Sequence, residues 1–160
     1  MNPKQRINTL LKEFSQINDL PEFQLNEENV CGFQYVGDTV ITLFLPDDQN
    51  QLVFLSDLVS LDELSSNALV KVLEYSFPGL RTKGAAISVN PKEHSLVLSF
   101  VQEIEGLTAI LFSNILKNFI ETAVHFRAVI ADYQHEAPTG QAPAPAPKAP
   151  SPNHMHMIRG

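Results

Sequence analysis

Apolar residues recur along this chain with two different periods. Ile7, Leu10, Leu11, Phe14 and Ile17 stand three or four apart, a single stripe that predicts a helix over 3–17. Asn18-Asp19-Leu20-Pro21 ends it, because the residue before a proline resists helical angles. Three β-branched and aromatic runs follow, Val30–Val36, Thr39–Leu45 and Leu52–Leu55, separated by Gly37-Asp38 and by the turn cluster 46–50. Connections this short predict an antiparallel meander. Alternation puts Val40, Thr42 and Phe44 on one face and Ile41, Leu43 and Leu45 on the other. Both faces are therefore apolar, so either the chain covers both or one waits for a partner.

A second helix is predicted over 61–77. Ser60 and Glu63 match a capping box at its start. Its apolar positions are Leu64, Ala68, Leu69, Val72, Leu73 and Phe77, with Val70 and Tyr75 on a flank. That arc is wider than one sheet contact requires, which places the helix either deep in a core or at a subunit interface, the reading favoured at this chain length. Pro78-Gly79 breaks this helix. Ala85–Asn90 and Ser95–Gln102 read as a hairpin around 91–94. A long helix over Leu107–Tyr133 carries Leu107, Leu111, Ile115, Phe119, Ala123, Phe126 and Ile130 as a stripe, widened by Ile110, Leu116, Ile120 and Val124. It would span roughly 40 Å, so its end is expected to project beyond a small sheet. The order α-β-β-β-α-β-β-α gives an α+β class: an antiparallel twisted sheet with helices packed mainly on one face.

Composition sets the boundary. Six of the 11 prolines fall between Pro138 and Pro152, where they exclude helix and sheet interior. The domain is read as 1–136 and the segment 137–160 as a disordered Pro/Ala-rich tail, a semi-rigid spacer. The tail's closing His-Met-His-Met run has soft-metal donors, but on a free end it reads as an unstructured terminus. All 18 acids and nine of the 11 bases precede residue 137, so the domain carries a net charge of −9. Such a domain repels a phosphate backbone, which disfavours nucleic acid. No apolar run approaches a membrane span, and the polar N-terminus lacks a secretory block, so no membrane contact and a cytoplasmic location are expected.

Candidate chemistry is sparse. The one cysteine, Cys31, excludes an internal disulfide and a multi-cysteine zinc site. No Gly-rich phosphate loop occurs. His94 lies in a turn, His125 stands alone on a helix, and Asp47-Asp48 lacks the spaced donors of a calcium loop. No catalytic residue, cofactor or metal is assigned. Surplus apolar surface remains as the informative feature, and it suggests binding.

The segment Gly84-Ala-Ala-Ile-Ser-Val-Asn-Pro-Lys-Glu-His-Ser-Leu-Val-Leu-Ser-Phe100 and the helix NFIETAVHFRAVIADY, with the element order over 3–133, resemble class I type III secretion chaperones of the Tir-chaperone family. The resemblance implies a cytoplasmic bacterial homodimer without ATPase activity. It would bind the N-terminal chaperone-binding segment of a secreted effector in extended, non-globular form. It would then deliver that effector to the export apparatus, whose ATPase is a further implied partner. Mapped onto this chain, the effector groove is Ile7, Leu10, Leu11, Phe14, Phe33, Tyr35, Val40, Thr42 and Phe44. The dimer interface is Leu64, Ala68, Leu69, Val72, Leu73, Ile87 and Val89. Two alternatives stand beside this reading: a non-chaperone adaptor of the same fold, and a small α+β enzyme with a cavity at His125 or Glu121.

Overall fold

The computed structural model describes residues 2–47 and 50–136. The readings made on the Pro/Ala tail, and on Asp48 and Gln49 in the turn, lie outside these residues. Helix α1 (Pro3–Ile17) starts at Asn2, whose side chain accepts from the Gln5 amide while the Gln5 side chain accepts from the Asn2 amide. This reciprocal cap satisfies two orphan donors, and Pro3 enters without losing a bond. The helix stops at Asn18 and Asp19, the latter in the left-handed region at φ 53°.

Five strands follow: β1 (Val30–Gln34), β2 (Val40–Phe44), β3 (Gln51–Ser60), β4 (Ala86–Asn90) and β5 (Ser95–Glu103). They form one antiparallel sheet in the order β1-β2-β3-β5-β4. β3 runs to Ser60, well past the expected end at Leu55. Ser56 and Asp57 look like a break in the sequence, yet both belong to the ladder. The Ser56 hydroxyl donates to the Val40 carbonyl at 2.8 Å, and Asp57 faces away from the core opposite Val97.

Helix α2 (Ser66–Ser76) begins five residues later than expected. Ser60 caps only a short 3₁₀ turn, Leu61–Glu63, and Ser65 is the true N-cap, accepting from the Ala68 amide at 3.1 Å. Leu64 is thus an extended residue before the helix, not part of it. Helix α3 (Ala109–His135) is capped by Thr108. Its inward stripe runs through Phe112, Leu116, Phe119, Ala123, Phe126 and Ile130, while Leu111 and Ile110 face outward. The far end of α3 does not project. Lys71 of α2 pairs with Glu136 and lies over the Tyr133 ring, and Gln134 donates to the Glu63 carbonyl at 3.0 Å.

The core lies between one face of the sheet and α1 and α3. Ile7, Leu11, Ile41, Leu43, Leu52, Phe54, Leu98, Phe112 and Phe126 are fully buried there. Phe54 is its hub, meeting Phe100 edge-on at 6.0 Å and Phe119 at 5.7 Å. α2 packs on α3, where Tyr75 meets Phe126 at 5.6 Å. The opposite face of the sheet is bare within the described residues. Val40 and Phe44 stand exposed on it, with Val53 and Leu55 half-buried beside them.

Candidate functional site

The nine expected groove residues divide into three groups. Ile7, Leu10 and Leu11 are buried in the chain's own core, so a partner could reach them only by opening it. This corrects their assignment. The stripe faces inward because α3 and the sheet already cover it. Phe14, Phe33 and Tyr35 do come together. With Asn18, Leu20, Phe23, Gln34, Lys117, Ile120 and Glu121 they line a groove of about 380 Å³ between the end of α1, strand β1 and α3. Val40, Thr42 and Phe44 lie on the other side of the sheet, on its bare face. They belong to a second surface, separated from the groove by the edge strand β1.

The groove is apolar in its floor and polar at its rim. The rings of Phe23 and Phe33 stack at 5.0 Å. Phe23 comes from the connection after α1, which sequence periodicity passed over because Leu20-Pro21 had ended the helix. That connection is held in place: the Leu25 amide donates to Asn8 Oδ1 at 2.8 Å. Glu121 at the rim pairs with Lys83 at 3.1 Å. The expected alternative required an enclosed cavity, whereas this groove is open. β1 is also an edge of the sheet: Asn26 bonds the outward backbone groups of Val30, and among the described residues no strand lies beside the rest.

The expected interface residues also divide. Ala68 and Val72 are buried beneath α2, and Val72 is part of the main core. Neither can touch a second subunit, which corrects their assignment. Leu64, Leu69 and Ile87 are half-buried against the core, whereas Leu73 and Val89 are exposed. Beside them the structure adds Val70, Phe77 and Leu80, the last two 77% and 80% exposed. The turn carrying Phe77 and Leu80 is fixed by its own bonds. Thr82 donates its hydroxyl to the Gly79 carbonyl at 2.9 Å. The Arg81 guanidinium donates to the Tyr75 carbonyl and lies over its ring at 4.4 Å. Gly79 takes φ 93°, which favours glycine.

The groups weighed for chemistry hold structural positions. His125 Nε2 and the Tyr75 hydroxyl are 2.8 Å apart at the α2–α3 contact. His94 approaches Asp62 at 3.4 Å on the surface. Burial pushes the Cys31 thiol up from its ordinary value, with an opposing backbone hydrogen bond at Gln24. Among the described residues no helix is long and apolar enough to cross a membrane.

No curated protein matches the chain. A chain of the ExsC–ExsE complex shares the fold with a TM-score of 0.70 at 21% identity, covering 81% of this chain and 97% of its own. The structure of the Yersinia pestis type III secretion chaperone SycH with a fragment of YscM2 gives 0.54 at 20%, covering 74% and 98%. The ExoT–SpcS complex from Pseudomonas aeruginosa gives 0.53 at 20%, covering 78% and 98%. At these identities the likeness concerns the fold. The family model described as the Tir chaperone protein (CesT) family matches residues 9–127, more than half of the chain, and the protein belongs to that family.

Proposed function

We propose that this protein is a cytoplasmic type III secretion chaperone. It binds the N-terminal segment of a secreted effector in extended form and keeps it competent for export. Membership of a chaperone family supports the general reading. The neighbours of known structure include a type III secretion chaperone with a bound fragment and further two-protein complexes, ExsC–ExsE and ExoT–SpcS.

The observation that carries the reading is the pairing of an open aromatic groove with a free strand edge. An extended segment can add to β1 through backbone hydrogen bonds, which tolerate many sequences. Its alternate side chains then enter the space between Phe14, Phe23 and Phe33. Ordering an unfolded segment costs entropy, so a large wrapped surface is needed to offset it. The bare sheet face beyond β1 provides that surface. A homodimer joined through Val70, Leu73, Phe77, Leu80 and Val89 would cover the other exposed apolar patch. Delivery to the export apparatus, with its ATPase as docking partner, completes the proposed cycle, and no catalysis by this chain is needed for it.

The test uses the exposed rim of the groove. Leu20→Asp and Tyr35→Asp are expected to abolish co-purification of an effector's N-terminal segment from the same secretion system while the thermal melt is unchanged. Retained binding in both variants contradicts the groove.

A further inference from the structure

The strand register leaves a hollow in the bare face of the sheet. β2 is paired with β3 only over Thr42–Phe44, opposite Val53–Leu55. Beyond Thr42 the Ser56 hydroxyl bridges to the Val40 carbonyl. β3 meanwhile shifts register against β5 between Asp57 and Val59. A concavity of about 420 Å³ opens there, lined by Val40, Thr42, Leu55, Asp57, Ser88 and Val97 among others.

Among the described residues Asp57 is the one charged group in its lining. The buried Ser95 hydroxyl donates to Asp57 Oδ1 at 2.7 Å and fixes the orientation of an otherwise exposed carboxylate. Among the described residues no Lys, Arg or His nitrogen comes within 4.0 Å of that carboxylate. Arg127 approaches from the helix side, where its Nη1 donates to the main-chain oxygens of Asp57 and Leu58. None of the five strands contains a lysine or arginine, and Asp57 and Glu103 are their only charged residues. The face is thus apolar with uncompensated negative charge.

A second copy of the chain fits this face poorly. Isologous pairing would bring the same two acids from the twin's strands and no lysine or arginine to compensate them. Of the proposed seam only Val89 borders the hollow, at its β4 side; Val70, Leu73, Phe77 and Leu80 lie on α2 and the turn after it. A long basic side chain fits well. Its methylene stem can lie along Val40, Leu55 and Val97 while its head reaches a pre-oriented carboxylate.

We propose that this hollow is a specificity subsite that takes one arginine or lysine side chain of the bound effector segment. The proposal rests on the chaperone reading and names a chemical requirement of its client. The test titrates the isotope-labelled full chain with a capped Leu-Val-Arg-Val-Leu peptide and with its neutral citrulline counterpart, followed by NMR. The arginine peptide is expected to shift the amides of Val40, Thr42, Leu55 and Val97. Citrulline, or Asp57→Asn in the protein, should each weaken binding about tenfold. Asparagine keeps the acceptor for Ser95, so the fold is retained. Equal binding of the two peptides, shifts centred elsewhere, or no shift at millimolar peptide overturns the subsite. Effector binding that is lost in Tyr35→Asp but indifferent to Asp57→Asn overturns the subsite alone. Binding indifferent to Leu20→Asp and Tyr35→Asp overturns the groove instead.

Discussion

Phe33 and Phe54 lie on the same side of the sheet but serve different ends. Phe54 is fully buried among Phe100, Phe112 and Phe119, so Phe54→Ala should cost about 3–5 kcal/mol in a denaturant melt. Phe33 is half-buried beneath Phe23 and meets the open groove. Its removal should weaken client binding more than stability. Cys31 gives a second check at this scale. It is 5% exposed, and burial raises its thiol above the ordinary range. The reactive thiolate is therefore scarce in the folded chain. Iodoacetamide at pH 8 should label Cys31 slowly in native protein and rapidly in denaturant; equal rates would contradict its burial. The same raised value favours folding while the thiol stays protonated. That contribution is lost as pH rises past the ordinary thiol range towards the folded value. Periodicity identified the inward side of α1 from Ile7, Leu10, Leu11 and Phe14. It could not say whether inward meant core or partner, because that depends on α3, more than ninety residues away.

Helix α2 shows the same limit one level up. Its width was legible from Ala68, Val70, Val72 and Leu73, and the structure divides that width into an inner and an outer side. Its start was misread because two serines five apart can each cap a turn, Ser60 for the 3₁₀ segment and Ser65 for the helix. Leu80 lies beyond a Pro-Gly break, where helical periodicity carries no signal, and Phe77, counted with the helical stripe, is instead the exposed C-cap of the helix. The two sides should respond differently. Val72→Asp buries an unpaired charge and should prevent folding. Leu73→Asp, Phe77→Asp and Leu80→Asp place charge on exposed positions and should keep the fold. Sedimentation should then give a particle near 17.8 kDa, where the parent chain gives about twice that mass. A dimer that survives all three changes places the seam elsewhere. At α3, Thr108→Ala should cost about 1 kcal/mol, since its hydroxyl caps the Leu111 amide at 3.2 Å.

Across the whole molecule, the element order and the antiparallel sheet follow from the alternation of the strands and the helical stripes between them. The apolar character of both sheet faces was legible in Val40–Leu45, and one of those faces is bare in the described residues. What the sequence did not reveal is that the candidate groove and the bare face lie on opposite sides of one sheet, meeting only around β1. Both surfaces follow from confining α1, α2 and α3 to one side, and a client using both must pass around that edge. Hydrogen exchange of the full chain, alone and bound to an effector's N-terminal segment, tests this most directly. The account predicts new protection in β1 and along Phe23–Tyr35, with the effector segment itself showing no independently folded core. A client that binds as a compact globule, leaving exchange in β1 and around the groove unchanged, would contradict it.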